Sequence, residues 1–476
     1  MTDVSRPDLC VIGGGHAGLA VARRAVTRGM TVVVVEPGPL GSAGRLADRV
    51  PAAMLSAAGT RAQLLRAAGD FGLAAVEPKV SLRTLHNRMV ALTRDMQRDD
   101  AEERCAALGI EVVSEAGRFT DRRTFTAGER IIKAGAFVLA PDPEPIVPDI
   151  AGLRQVPFFT ARTIGGNTRK LSHLLVIGAG ATGLAIAQAY KRLGSAVTVV
   201  EAARALHDHD PEFVAILLGQ LREEGIDIRE QTAISAIQKR GQGIGVILDE
   251  PGGEARLDIS HILVAAGSVV DISALDIDKA GLRQDKGGQL VVGPGLRTGN
   301  RAIFAIGAAA GMPHASGIEL AAEVVVENAQ GGRRRLPPEF VPRSVGTDPM
   351  IAQLGLTEPM ARARLKQNYR VVRCSFDEVD AARAAALSGN ARLILDSGDT
   401  IVGATLVGRD IAELAALFSL AVANRLAIGQ LANFAPPAGS LAEIVPLLAA
   451  RAVEGRPAKK VRGGIARWLP LPGRIL

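Results

Sequence analysis

Two short glycine-rich segments carry the clearest chemistry in the chain. Residues 13–18 read Gly-Gly-Gly-His-Ala-Gly and residues 178–183 read Gly-Ala-Gly-Ala-Thr-Gly, so each has glycine at its first, third and sixth positions. Glu36 follows Gly18 by eighteen residues, and Glu201 follows Gly183 by the same interval. Glycines so spaced let backbone amides approach a pyrophosphate at a helix N-terminus, and a carboxylate about 20 residues on accepts from ribose hydroxyls. The duplication predicts two dinucleotide sites. Gly13, Gly15, Gly18 and Glu36 build one; Gly178, Gly180, Gly183 and Glu201 build the other.

The flanking sequence supplies the elements that such sites need. Before the first motif, residues 8–12 form an apolar run; after it, an alanine-rich helical pattern reaches Gly29, and residues 31–36 read as the next strand. Residues 174–177, a helix to about Leu193 and residues 197–201 repeat the plan. A strand, a helix and a second strand around each motif are the context that separates a nucleotide fingerprint from a chance run of glycines. Further strands are expected at residues 262–266, ending at Gly267, and at 302–306, ending at Gly307. The proline-rich stretch 141–148 reads as a stiff crossing between domains, and residues 331–338 mark another boundary. Alternating segments at 369–376, 391–395 and 401–407 and an apolar helix from about Asp410 predict a separate α+β domain. The expected fold is therefore α/β, with two Rossmann-like dinucleotide-binding domains followed by a C-terminal α+β domain. Its boundaries are 1–148 with 267–335, then 149–266, then 336–458, with a basic, apolar tail at 459–476.

Composition narrows the function. The chain has 476 residues, 47% hydrophobic and 22% charged, too long for one core. A net charge of +7 without a long basic block, and 3% aromatic residues, argue against a dedicated nucleic-acid binder. The N-terminal residues lack the order of a secretion signal, and no charge-free apolar stretch reaches the roughly 18 residues of a membrane-spanning helix. The three cysteines, Cys10, Cys105 and Cys374, are far apart. A cytoplasmic protein without structural disulfides is expected. The tail, with the only tryptophan among basic residues, is expected to pack or to stay disordered, with a peripheral membrane contact as its other reading.

The order of these parts resembles the pyridine nucleotide-disulfide oxidoreductases of the dihydrolipoamide dehydrogenase and mercuric reductase type. Besides the two glycine motifs, the resemblance rests on Gly117-Arg-Phe119, Phe304-Ala-Ile-Gly307, Thr347-Asp-Pro349 with Gly355-Leu-Thr-Glu358, and Gly403-Ala-Thr-Leu-Val-Gly408. It implies FAD at the first site, with Gly117 and Gly307 among the groups that hold it, and a nicotinamide cofactor at the second, approached by Gly267. It also implies a homodimer through the C-terminal domain. Glu201 favours NADH over NADPH by repelling a 2′-phosphate, and Arg204 tempers that preference.

The same resemblance exposes departures. The family's paired cysteines, four residues apart, have no counterpart in residues 40–51, and its C-terminal histidine is replaced within Phe434-Ala-Pro-Pro-Ala-Gly-Ser-Leu-Ala-Glu443. Glu443 is left from that dyad, and His314, the last histidine, is the other candidate for proton handling. A lysine and glutamate beside the flavin are matched by Ala53 and Ala185. The Ala-Thr-Gly segment becomes Ala140-Pro-Asp142, and the aspartate that holds the ribityl chain becomes Ala308, so FAD is expected to bind less tightly. Two bland readings are preferred elsewhere. His207-Asp-His-Asp210 is a solvated loop and not a metal cluster, no metal being expected, and His16 is a local structural choice, with proton donation near flavin as its other reading. The expectation is an FAD-dependent NADH oxidoreductase whose flavin passes electrons directly to a quinone or another small acceptor. The alternative is a nucleotide-binding pseudoenzyme or redox sensor without turnover.

Overall fold

The apolar runs become the central strands of three sheets. The computed structural model of the chain describes residues 4–41, 50–100, 102–241, 243–312, 316–337 and 341–454. In the first sheet five parallel strands lie in the order Ile303–Ala305, Ala136–Leu139, Leu9–Ile12, Val32–Val35 and Ile110–Val113. Every residue of Leu9–Ile12, Val32–Val35 and Ala136–Leu139 is buried, as strands covered on both faces must be. Helices His16–Thr27 and Ile318–Ala329 cover one face. A four-stranded sheet, with Phe119 and Phe125 packed edge to face at 5.0 Å, covers the other. The strand Ile303–Ala305 comes from far along the chain, after the strands of the second sheet.

The second sheet repeats the plan with strands Phe159–Thr160, His261–Val264, His173–Ile177, Ala196–Val200 and Asp227–Arg229. Helices Ala181–Arg192 and Pro211–Glu223 pack on one face. On the other lie three antiparallel strands, Ala233–Arg240, Gly243–Glu250 and Gly253–Ile259, which the sequence reading did not anticipate. The proline-rich crossing is stiff for a further reason. Glu144–Pro145 pairs antiparallel with Ser268–Val269, so the outgoing and returning connections brace each other.

The third sheet is antiparallel, in the order Arg343–Val345, Met350–Gly355, Ile401–Gly408, Gly389–Asp396 and Tyr369–Ser375. Helices Ala412–Ala423 and Ile444–Glu454 bury their apolar faces against it. Several helices went unread in the sequence, among them Val50–Arg66 and Leu82–Asp99. The first packs on Ala181–Arg192 so closely that a Cβ on Gly59 would lie 3.1 Å from the Ala189 Cα. Residues 459–476, with the tryptophan and its proposed membrane contact, lie outside the described residues.

Candidate dinucleotide sites

Both glycine motifs sit where a parallel strand ends and a helix begins. Gly13 and Gly178 share φ +110°, a conformation open to glycine and strained for other residues. A Cβ on Gly13 would run into the Ala140 carbonyl, and one on Gly178 into the Ala265 carbonyl. Gly18 and Gly183 press against the carbonyls of Gly13 and Gly178 in turn. Each motif thus needs glycine at its first and last positions for packing alone. The loop closures match bond for bond: Gly13 N donates to Val35 O and Gly178 N to Val200 O, both at 2.9 Å. Helices His16–Thr27 and Ala181–Arg192 then start from Gly15 and Gly180, both extended, and neither has a side-chain cap at its first turn. A helix start not closed by its own N-cap side chain is where a phosphate can be received.

The acidic residues act alike. Glu36 Oε2 accepts from Gly14 N at 2.8 Å and its Oε1 from Gly38 N at 2.9 Å. Glu201 Oε2 accepts from Ala179 N at 2.9 Å and its Oε1 from Ala203 N at 3.1 Å. An ionised carboxylate has about four acceptor positions, so each retains capacity for ribose hydroxyls. The two loops differ at the middle glycine. Nothing lies within 4 Å of a Cβ built on Gly180, whereas one on Gly15 would fall inside the carboxylate of Asp142.

The other expected residues fall into place unevenly. A Cβ built on Gly307, which has φ +67°, would lie 3.2 Å from the Ala17 Cβ, at the start of the first motif's helix. Gly267 has φ +102°, and its carbonyl accepts from Ile146 N at 3.0 Å on the braced crossing. Gly117 has no room for a side chain because Phe125 and the Thr126 carbonyl press on it. That packing explains the glycine without a ligand. His16 is the first residue of its helix and is half-buried. His314 lies outside the described residues.

A model of the pyridine nucleotide-disulphide oxidoreductases matches residues 7–331, and that family's dimerisation domain matches residues 341–449. The chain belongs to this family. Mercuric reductase from Streptomyces lividans is 29% identical over 453 residues, which cover 93% of this chain and 95% of that one. Dihydrolipoyl dehydrogenase from Thermus scotoductus is 29% identical over 450 residues, covering 92% and 95%. Among solved structures, LpdA from Mycobacterium tuberculosis superposes with a TM-score of 0.83 at 24% identity, covering 94% of this chain and 99% of its own. The flavoprotein disulfide reductase RclA from Escherichia coli gives 0.79 at 20%, with the same two shares covered. These two likenesses speak for the fold.

As a member of the pyridine nucleotide-disulphide oxidoreductases, the chain is a flavoprotein of the FAD- and NAD-using class. Its first cradle fits FAD at Gly13, Gly18 and Glu36. At Gly15 it fits only once the Asp142 side chain has moved aside. Ala308 sits in the turn Gly307–Ala310 and offers no carboxylate to a ribityl chain. Ala53 is on the helix Val50–Arg66 and Ala185 on Ala181–Arg192, the two helices that pack across the domain boundary. Both positions are methyl groups, so no ion pair spans that boundary there. Glu443 accepts from Gly439 N at 2.8 Å and so ties down its own loop.

The cysteines are separate and free: Cys10 on a central strand, Cys105 on the short helix Glu102–Ala107, and Cys374 on a strand of the third sheet. Burial pushes all three thiols up, Cys374 to about 11 with help from Glu378. Thiols held protonated near neutral pH make poor nucleophiles. The loop 207–210 goes to structure and not wholly to solvent, a partial correction. His207 and Asp208 are exposed, but His209 and Asp210 are buried. Asp210 caps the helix Pro211–Glu223 through Glu212 N and pairs with the buried Arg392. Among the described residues no group of three or more His, Cys, Asp or Glu side chains could hold a metal ion.

Proposed function

We propose that the chain is an NADH-dependent flavoprotein oxidoreductase that works without a redox disulfide. The observation that carries this reading is the pairing of an open second phosphate loop with cysteines that cannot form a relay. Gly180 has clear space above it, while Cys10, Cys105 and Cys374 are buried in three different elements. FAD supplies the chemistry that side chains lack: it accepts a hydride from the nicotinamide and passes electrons onward singly or in pairs. The protein's part is placement. Gly178, Gly180, Gly183 and Glu201 hold the nicotinamide nucleotide, Gly267 lies beside its path, and the methyl groups of Ala53 and Ala185 carry no charge at their two positions on the domain boundary. Hydride transfer between two bound cofactors draws on proximity and orientation, which need neither thiol nor imidazole.

The acceptor in this reading is a small redox molecule such as a quinone, and the active unit is a homodimer joined through residues 341–449. Glu201 supports NADH as the donor, because a 2′-phosphate set beside its carboxylate would bring a second negative charge. Arg204 is exposed in the loop that follows and offsets part of that repulsion. No helix among the described residues is long and apolar enough to cross a membrane. A second reading, a nucleotide-binding protein without turnover, is favoured by the carboxylate over Gly15 and by Ala308.

The test is an anaerobic visible spectrum of the purified protein, saturated with FAD and then given NADH. Bleaching of the oxidised flavin is expected, and equally so in a variant with Cys10, Cys105 and Cys374 all changed to alanine. Flavin that NADH leaves oxidised would overturn the enzyme reading. Bleaching in the wild type alone would return a role to the thiols.

A further inference from the structure

The two dinucleotide loops provide an internal comparison. Ala140 N donates to Ile12 O as Ala265 N donates to Ile177 O, both at 2.8 Å, and each alanine carbonyl covers the first glycine of its motif. Counting on from these alanines pairs Pro141 with Ala266 and Asp142 with Gly267. At the second site the residue so placed is a glycine, and the space over Gly180 is open. At the first it is an aspartate, and a Cβ on Gly15 would come closer than 3.0 Å to Cγ, Oδ1 and Oδ2 of Asp142 together. The carboxylate therefore lies against the start of the 12-residue helix His16–Thr27, over the glycine that gives a pyrophosphate its closest approach.

We propose that Asp142 is a built-in occupant of the first dinucleotide site, its carboxylate standing where FAD would place a phosphate. Two physical effects favour the arrangement. The helix start has no acidic residue in its first turn and no bond from its N-cap side chain, so its dipole favours an anion placed there. Pro141 fixes φ one residue earlier and limits how the Asp142 backbone can swing away. A phosphate that enters must displace the side chain, losing its favourable contact with the helix start, or remain beside it and meet a like charge. FAD binding is then an exchange of one anion for another, whereas NAD binding at the open second loop is a simple addition. This inference rests on the reading that the first site takes FAD, and it adds that the chain itself competes for it.

The experiment compares the wild type with D142G, which restores the counterpart of Gly267, and with D142N, which keeps the bulk and removes the charge. Each full-length protein, freed of flavin, is titrated with FAD by quenching of flavin fluorescence, and with NAD+ as a control on the second site. The expected result is FAD affinity raised about tenfold or more in D142G and by a smaller factor in D142N, with NAD+ affinity unchanged. Equal FAD affinity in all three proteins would overturn the proposal. So would a wild type that leaves purification with one FAD per chain and keeps it through exhaustive dialysis. If D142G fails to bind NAD+ it has misfolded, and D142N then decides. A D142G protein that holds FAD tightly yet is not bleached by NADH would refute the oxidoreductase reading and leave this inference standing.

Discussion

In the proposed reading, Glu201 is the single side chain that constrains the donor. Its two oxygens already accept from Ala179 N and Ala203 N, so the carboxylate fixes the loop in addition to the ribose contact proposed for it. Hydrogen bonds to a charged group contribute about 1.5–3 kcal/mol each, and truncation forfeits those to loop and ligand alike. Glu201→Ala is therefore expected to weaken NADH binding by about ten- to a hundredfold, roughly the loss of one such bond. NADPH binding should fall less, because the repulsion of its 2′-phosphate is removed in the same step. Fluorescence titration with both nucleotides measures the ratio; an unchanged ratio would show that Glu201 does not set the preference. Both acidic residues and all six motif glycines were legible in the sequence, since strand, loop and helix lie within 30 residues of one another there. The role of Asp142 was not. Its approach to Gly15 exists only because Ala136–Leu139 pairs with Leu9–Ile12, more than a hundred residues apart. The one signal in the sequence was the repeat itself, in which Ala140-Pro-Asp142 answers Ala265-Ala-Gly267.

Elements that looked like plain connections prove to be joints. The loop 207–210 ends in Asp210, which caps the helix Pro211–Glu223, and Arg392 from the third sheet reaches the same carboxylate. Arg392 also bonds Glu212 at 2.9 Å and lies 4.8 Å over the Phe213 ring. Arg392 and Asp210 are both nearly inaccessible, at 4% and 2% side-chain exposure, so neither charge can be left alone cheaply. Arg392→Met is expected to destabilise the protein by about 3–5 kcal/mol, through the orphaned Asp210. Adding Asp210→Asn should restore part of the loss, because the buried charge goes with its partner. Chemical denaturation of the two variants measures this, and a double variant less stable than Arg392→Met would show that the cap outweighs the pair. The sequence could suggest histidines and aspartates at alternate positions, but not that an arginine 182 residues away claims one of them. The three-stranded layer was missed for a related reason. Ala233–Arg240 is exposed or half-buried at all but one position, so little apolar alternation marks it as a strand.

At the scale of the molecule, one arginine joins three domains. Arg192 closes the helix that begins at the second phosphate loop, and its guanidinium bonds Glu224 at 2.6 and 2.8 Å and Asp348 of the third domain at 2.9 Å. Its carbonyl accepts from Arg66 at 2.7 Å, at the end of the first domain's helix. Arg409 bonds the other Asp348 oxygen at 3.0 Å, which anchors that carboxylate to the third sheet. The helix Ala181–Arg192 has 12 residues, with the proposed nucleotide loop at one end and this junction at the other. A ligand that binds only the folded state stabilises whatever unfolds with its site, by about 2.7 kcal/mol at a hundred times its Kd. If the junction makes the second and third domains one cooperative unit, NAD+ should slow amide exchange in Gly389–Asp396 and Ile401–Gly408 as well as around Gly178. Those strands do not touch the nucleotide, so their protection has to travel through the packed interface and the ion pairs. In Arg192→Met the protection should stay within the second domain, with the Gly178 loop still responding. Exchange in the two distant strands that ignores NAD+ in the wild type would mean that the domains open independently, and that the buried network holds their register without coupling their stability.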